Sequence, residues 1–467
     1  MRSQICVLMI KNYYFLGIGG IGMSAIARYF KSKGFEVGGY DKVQSELCIE
    51  LEKEGIKIHY SDLGENIDEN FKNSSNTLVV YTPAIPQDHN EFLFFQKNNF
   101  KILKRAEILG QITKTQRGIC VAGTHGKTTT STMIAHLLKQ SHVDCNAFLG
   151  GISLNYGNNL LLSNKSSLVV IEADEYDRSF HKLTPYIAII TATDADHLDI
   201  YHTHKEYIEA FEYFTSLIIE GGSLIYKKGI TLIPKLKKNV KSYTYSATET
   251  ADFYAENIRI GGGQLVFDFV TPQSKITDVS LGVPVLVNVE NSVAAMAAAW
   301  LNGVTDKELK NGIASYKGVK RRFEKHLEKP KIYIDDYAHH PQELASSIKS
   351  LKMLYSDKKV LGVFQPHLYS RTADFYKEFA EALSMLDEIV LIEIYPAREI
   401  PIKGITSKII FDEISNPNKT LTTKAELLNT LKTKDFDVLV TFGAGDIDAY
   451  IPQIKEFIIS GNNGKNG

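Results

Sequence analysis

Two glycine-rich turns, each set between a short apolar run and a helix-forming segment, constrain this chain more than any other feature. The sharper is Ala122-Gly123-Thr124-His125-Gly126-Lys127-Thr128-Thr129-Thr130, behind the strand-like run Gly118–Ala122 and ahead of the helical stretch Thr128–Lys139. Such a turn aims successive backbone N–H groups at phosphate oxygens. A lysine neutralises the β and γ oxygens, and the hydroxyl of Thr128 suits Mg²⁺. Val121 stands where the general GxxxxGK[ST] pattern has glycine, so the turn is the narrower G-T-x-G-K-T-T form. Gly123, Thr124, His125, Gly126, Lys127, Thr128 and Thr129 are therefore expected to hold a nucleoside triphosphate; the alternative is a chance Gly-Lys-Thr turn.

Two acidic clusters extend this expectation. Glu172-Ala173-Asp174-Glu175 follows the run Leu168–Ile171, and Asp194-Ala195-Asp196-His197-Leu198-Asp199 follows Tyr186–Thr191. Parallel strands deliver side chains at their carboxyl ends, and a hard cation such as Mg²⁺ takes oxygen ligands with an occasional imidazole. Any one of these acids could equally be a helix cap; beside a phosphate loop, the group reads as part of a metal site.

The other turn, Gly17-Ile18-Gly19-Gly20-Ile21-Gly22, fits GxGxxG between the strand Asn12–Leu16 and the helix Met23–Lys33, with Asp41 closing the next strand, Glu36–Asp41. The pattern places a pyrophosphate on a helix N-terminus and an acid on a ribose. A nicotinamide or flavin dinucleotide supplies that pyrophosphate, and so does a UDP-sugar. Glycines serving only close helix–strand packing are the third reading, and nothing in the segment decides among them.

With 467 residues the chain exceeds one ordinary core, so several domains are expected. Strand–helix alternation recurs in three segments, 1–107, 108–322 and 323–467. Ile332–Ile334, Val360–Phe364, Ile389–Ile392 and Val438–Phe442 are the strands of the last, and Ser292–Trp300 is an alanine-rich helix in the second. A net charge of −1 argues against a nucleic-acid binder. The dispersed Cys6, Cys48, Cys120 and Cys145 argue for reduced thiols, and the absence of a long apolar run argues against membrane insertion; a cytoplasmic protein, monomer or homodimer, is expected.

GIGGIGMSAIA (Gly17–Ala27), GTHGKTTT (Gly123–Thr130), EADEYDRSF (Glu172–Phe180), DADHLDIY (Asp194–Tyr201), NVEN (Asn288–Asn291), GVKRRFE (Gly318–Glu324), DDYAHHP (Asp335–Pro341) and FQPHLYSRT (Phe364–Thr372) occur in that order. The set resembles the Mur ligases over almost the whole chain. The resemblance implies an α/β protein of three domains: an N-terminal Rossmann-like domain for UDP-N-acetylmuramate, a central P-loop ATPase-type parallel sheet for ATP, and a C-terminal Rossmann-like domain. It implies Gly19, Gly20, Ile21, Gly22 and Asp41 at the sugar nucleotide. Lys127, Glu172, His197 and Arg322 are implied in catalysis, with Thr128, Glu172 and His197 around Mg²⁺. Asn288, Asn291 and Arg321 are implied beside ATP, and Tyr337, His339, His340, His367 and Arg371 at the amino-acid and muramoyl end. His339 and His340 are candidate bases. The implied reaction joins L-alanine to the lactyl carboxylate through an acyl phosphate; the alternative within the family attaches a preformed tripeptide to the same sugar nucleotide.

The sequence departs from the family pattern at two places. Val285, Leu286 and Val287 replace a stretch that commonly carries histidine, and Leu368 replaces the arginine of Pro-His-Arg, with Arg371 or Arg398 as substitutes. A nicotinamide oxidoreductase would leave GTHGKTTT idle, and a non-enzymatic ATP switch would leave DDYAHHP idle.

Overall fold

The computed structural model describes residues 10–463 apart from Asp196, His197 and Arg398. The chain divides into two compact units, one comprising the chain up to Tyr254 with Val293–Gly312, the other Ala255–Ser292 and the chain from Ile313 onward.

The first unit holds two sheets. β1 (Asn12–Leu16), β2 (Glu36–Tyr40), β3 (Lys57–His59), β4 (Thr77–Tyr81) and β5 (Lys101–Lys104) form an all-parallel sheet in the order β3-β2-β1-β4-β5. β1 is central and almost wholly buried, which explains its unbroken aromatic and aliphatic run. The helix Ile21–Ser32 leaves it through the first glycine turn, and Tyr13 stacks on Phe30 at 3.6 Å between ring centroids.

The larger sheet contains β6 (Arg117–Ala122), β7 (Asn146–Ser153), β8 (Asn158–Leu161), β9 (Leu168–Glu172), β10 (Pro185–Ile190), β11 (Ser223–Lys227), β12 (Lys241–Ser246) and the first residues of β13 (Phe253–Gly261). Their order is β13-β12-β11-β10-β6-β9-β7-β8. Pairing is parallel except for the edge hairpin β7–β8. β6 lies between β9 and β10, so the second glycine turn and the two acidic clusters emerge from adjacent strand ends, the position where open α/β sheets bind ligands. One apolar core runs from Phe15 of the smaller sheet and Ile26 of the helix behind it to Phe148 and Ile171 of the larger sheet and Phe211 of the helix His204–Ser216.

The second unit carries the antiparallel pair β14 (Gln264–Val270) and β15 (Lys275–Ser280). Its six-stranded sheet has β16 (Glu324–Leu327), β17 (Ile332–Asp336), β18 (Val360–Phe364), β19 (Glu388–Leu391), β20 (Lys419–Leu421) and β21 (Val438–Phe442), ordered β16-β17-β21-β18-β19-β20 and parallel except for β16 against β17. Tyr333, Leu361, Val363, Val390, Leu439 and Ile454 centre its core.

The alanine-rich helix starts at Leu286, not Ser292, because the Val285 carbonyl already accepts from Asn288 N–H; Asn288 and Asn291 therefore lie on the helix. Glu172 is the last residue of β9 and not part of the loop after it. Among the described residues no helix is long and apolar enough to cross a membrane.

Candidate active site

In the second glycine turn, Gly123 and Gly126 take φ of 133° and 81°, values that L side chains adopt only under strain. A Cβ on Gly123 would also lie 2.8 Å from the Ala192 nitrogen. Gly126 caps the helix Lys127–Lys139, whose first turn therefore presents backbone N–H groups without a side-chain cap. Thr124 and Thr191 fasten the loop to its neighbours: Thr124 Oγ1 donates to the Asp194 carbonyl at 2.8 Å, and Thr191 Oγ1 donates to the His125 carbonyl. Lys127 Nζ curls inward, 2.7 Å from both the Gly123 carbonyl and Glu175 Oε1. Glu175 is almost completely buried at the carboxylate, and burial raises its pKa against the opposing pull of Lys127.

Thr128 Oγ1 donates to Glu172 Oε2 at 2.8 Å. Burial pushes the Glu172 carboxyl up, and Lys127 and Thr128 offset this only in part. A buried carboxylate short of positive charge beside a hydroxyl oxygen is the donor set a hard cation takes. The residues present thus fit Mg²⁺. The expectations for His197, and for Asp196 beside it, lie outside the described residues. Glu172 has space only because residue 150 is glycine: a Cβ there would fall 1.9 Å from Glu172 Oε2.

The first turn is more self-contained than its pattern suggests. Gly17 and Ile18 N–H both donate to the Tyr40 carbonyl, and Gly20 N–H to the Gly17 carbonyl. Gly19 N–H donates to Asp41 Oδ2 at 2.7 Å, so Asp41 braces the turn, and an anion is left to the helix start at Ile21 and Gly22. The sequence reading did not single out Arg105. It opens the helix Arg105–Thr115, lies against Gly22, and places Nη2 2.8 Å from Asp174 Oδ2.

In the second unit, Tyr337, His339, His340, His367 and Arg371 come together. His339 packs edge-on to Tyr337 and His367, with centroids 5.1 and 6.1 Å away. Arg371 Nη1 lies 3.4 Å from His367 Nδ1, and His340 lies 5.0 Å from the Phe375 ring. His339 Nδ1 faces the Tyr337 carbonyl at 2.9 Å and Glu343 Oε2 at 3.4 Å, two acceptors, so the neutral ring carries its proton on Nδ1. Burial lowers the His339 pKa, against the opposing pull of Glu343. Glu343 also accepts from the His339 and His340 N–H groups at the start of the helix Pro341–Leu354.

Arg321, expected beside the nucleotide, directs its guanidinium at partners within this unit: Asp335 Oδ2 at 3.2 Å, the Gly445 carbonyl at 3.0 Å and the Gly443 carbonyl at 2.6 Å. Arg322 lies over the Tyr337 ring at 5.2 Å. Asn291 Nδ2 donates to Asn288 Oδ1 at 3.1 Å, and both side chains are buried. Val287 is half exposed. Leu368 sits at φ 71°, strained for a leucine, with its N–H given to the Tyr395 carbonyl. The Arg398 expectation lies outside the described residues.

A phosphate loop at the centre of one parallel sheet, with a glycine-turn sheet before it in the chain and a cluster of histidines on the loops of the sheet after it, is the plan of a nucleotide-binding α/β enzyme. Three family models cover nearly the whole chain in succession: the Mur ligase family catalytic domain at residues 12–117, the Mur ligase middle domain at 121–299, and the Mur ligase glutamate ligase domain at 321–445. The chain belongs to the Mur ligase family. The UDP-N-acetylmuramate–L-alanine ligase of Parabacteroides distasonis is 59% identical over 95% of this chain and 96% of its own. Its counterpart in Phocaeicola vulgatus is 58% identical over 95% and 97%. The crystal structure of the UDP-N-acetylmuramate–alanine ligase of Thermotoga maritima superposes with a TM-score of 0.81 at 27% identity, covering 96% of this chain and 99% of that one.

Proposed function

We propose that this chain joins L-alanine to the lactyl carboxylate of UDP-N-acetylmuramate, converting ATP to ADP and phosphate. What carries the reading is full-length likeness, at 57–59% identity, to relatives named for that reaction, combined with the Lys127–Thr128–Glu172 geometry. The carboxylate oxygen attacks the γ-phosphorus, its bond to ADP breaks, and an acyl phosphate forms. Lys127 and the loop N–H groups offset the charge on the transferring group. Thr128 and Glu172, together with His197, are the residues to hold Mg²⁺, which supplies further neutralisation of phosphate charge. The alanine nitrogen then attacks the acyl carbon and phosphate departs. The ammonium must first lose a proton, and His339 supports that role: neutral, with Nδ1 protonated, it offers Nε2 as acceptor.

Phosphate release measured with UDP-N-acetylmuramate against L-alanine, glycine, L-serine and L-Ala-γ-D-Glu-meso-diaminopimelate tests this. L-alanine should lead, with a methyl-scale discrimination of roughly 1–3 kcal/mol over glycine. Preference for the tripeptide would assign the chain to the other reaction of its family.

A further inference from the structure

The helix Ile21–Ser32, which belongs to the smaller sheet, is tied to the larger one by polar groups as well as apolar ones. Asn159, on the edge strand β8, is fully buried and spends its amide on that helix. Its Nδ2 donates to the Ile21 carbonyl at 2.5 Å and to Ser24 Oγ at 2.9 Å, while Oδ1 accepts from Arg28 Nη1 at 2.7 Å. Both amide donors are thus used. Arg28 is itself buried, and its other donors run to Glu50 and Glu54 at the neighbouring helix Glu46–Lys53. Apolar contact alone would join the two sheets without choosing a register. Three directional bonds at one buried residue admit a single one.

The same residue stands next to the candidate metal site. In the β7–β8 ladder, Phe148 pairs with Leu160 and Ser153 with Asn158, so residues 149–152 bulge against Asn159 alone. That bulge contains Gly150, the residue that makes room for Glu172, whose carboxylate accepts from Thr128. We infer that Asn159 is a positioning residue for the ligation. With Ser24 and Arg28 it fixes the smaller sheet against the phosphate-loop sheet, so that a carboxylate held on one meets the γ-phosphate held on the other. The assignment rests on the ligase reading above, with the sugar nucleotide on the smaller sheet and ATP on the loop. Each substrate binds on its own sheet, so loosening the clamp costs alignment and not affinity; a misplacement of about 1 Å can cost about 10²-fold in rate.

Steady-state kinetics of the full chain, with ATP-binding sites counted by calorimetry so that only folded protein enters the rate, tests the assignment. Asn159→Ala should lower kcat about tenfold or more, while the KM values for ATP and UDP-N-acetylmuramate stay within about twofold. Ser24→Ala, which leaves the Ile21 bond in place, should lower kcat about fivefold. The double variant should be no slower than Asn159→Ala alone, because the clamp is already lost. Ser24→Ala decides the matter if Asn159→Ala does not fold. A kcat within about twofold of the parent, a raised KM for the sugar nucleotide with kcat unchanged, or losses that multiply in the double variant would overturn the assignment while leaving the ligase reading in place. An unaltered chain that releases no phosphate from ATP with UDP-N-acetylmuramate and L-alanine would overturn both.

Discussion

Lys127 and Glu172 sit on opposite sides of one question, how a phosphate loop manages charge before its nucleotide arrives. Lys127→Ala should lower phosphate release by ~10²-fold or more, since one preorganised stabiliser of the transferring group is removed, and should lower the thermal midpoint as well, because the buried Glu175 carboxylate loses its cation. Near-parental turnover would exclude the assigned role. Glu172→Gln should raise the magnesium concentration needed for half-maximal activity, an anionic hard ligand having become neutral. Gly150→Ala should do the same from a distance, because its methyl group must displace the Glu172 carboxylate. Magnesium titrations of the two variants that overlay the parent's would show that Glu172 does not touch the metal. Lys127 was legible in the sequence because the loop chemistry forces it between glycine and threonine. Gly150 was not: it is distant in sequence, on a strand hidden by a Gly-Gly pair, and only the fold brings it under Glu172.

At the scale of elements, the sequence displayed what burial on both faces makes conspicuous. β1, β18 and β21 match their expected limits, since a strand flanked on both sides must be apolar throughout. The short edge strands β3, β5 and β20 were missed because lysines begin or end them and three or four residues carry no periodicity. Arg321 shows the same limit at a loop. GVKRRFE marked the spot, but only the folded chain shows this arginine tying β17 to the loop after β21, through Asp335, Gly443 and Gly445. Arg321→Gln would leave the fully buried Asp335 without its cation, a loss of about 3–5 kcal/mol. Chemical denaturation followed by fluorescence should show that deficit; a change below about 1 kcal/mol would mean the network is dispensable. At the start of the following helix, Glu343→Ala removes the acceptor for two N–H groups and should cost about 1 kcal/mol.

Across the whole molecule, each compact unit contains a carboxyl group that burial holds well above its ordinary range: Glu91 at about 7 in the first, Asp336 at about 6 in the second. In both cases the folded state binds the proton more tightly than the unfolded state. Stability from these groups is therefore greatest at acid pH and falls as pH rises, between about 4.5 and 7 for Glu91 and between about 3.8 and 6 for Asp336. Asp336→Asn keeps an acceptor for the Ser347 hydroxyl, 2.6 Å away, and removes the titration. Its melting temperature relative to the parent should climb from pH 4 to pH 6.5 and then level off; a difference that stays flat would mean the carboxyl titrates normally. The family and the three-sheet plan were readable from motif order alone, while the division of the chain into compact units was not, because it cuts through β13 and the helix Leu286–Leu301, inside segments that read as continuous.

The inward curl of Lys127 also has a bearing on inhibitor design. A neutral phosphate mimic placed in this loop carries no charge to pair with Lys127, whose ammonium already holds Glu175 and the Gly123 carbonyl. An anionic mimic that pulls the lysine wholly away leaves a carboxylate buried without its partner, a penalty charged to the drug's affinity. The compound to make is one that replaces only the long contact of Lys127 to the Thr124 carbonyl, 3.4 Å away, so that the Glu175 pair survives and the inhibitor adds to it.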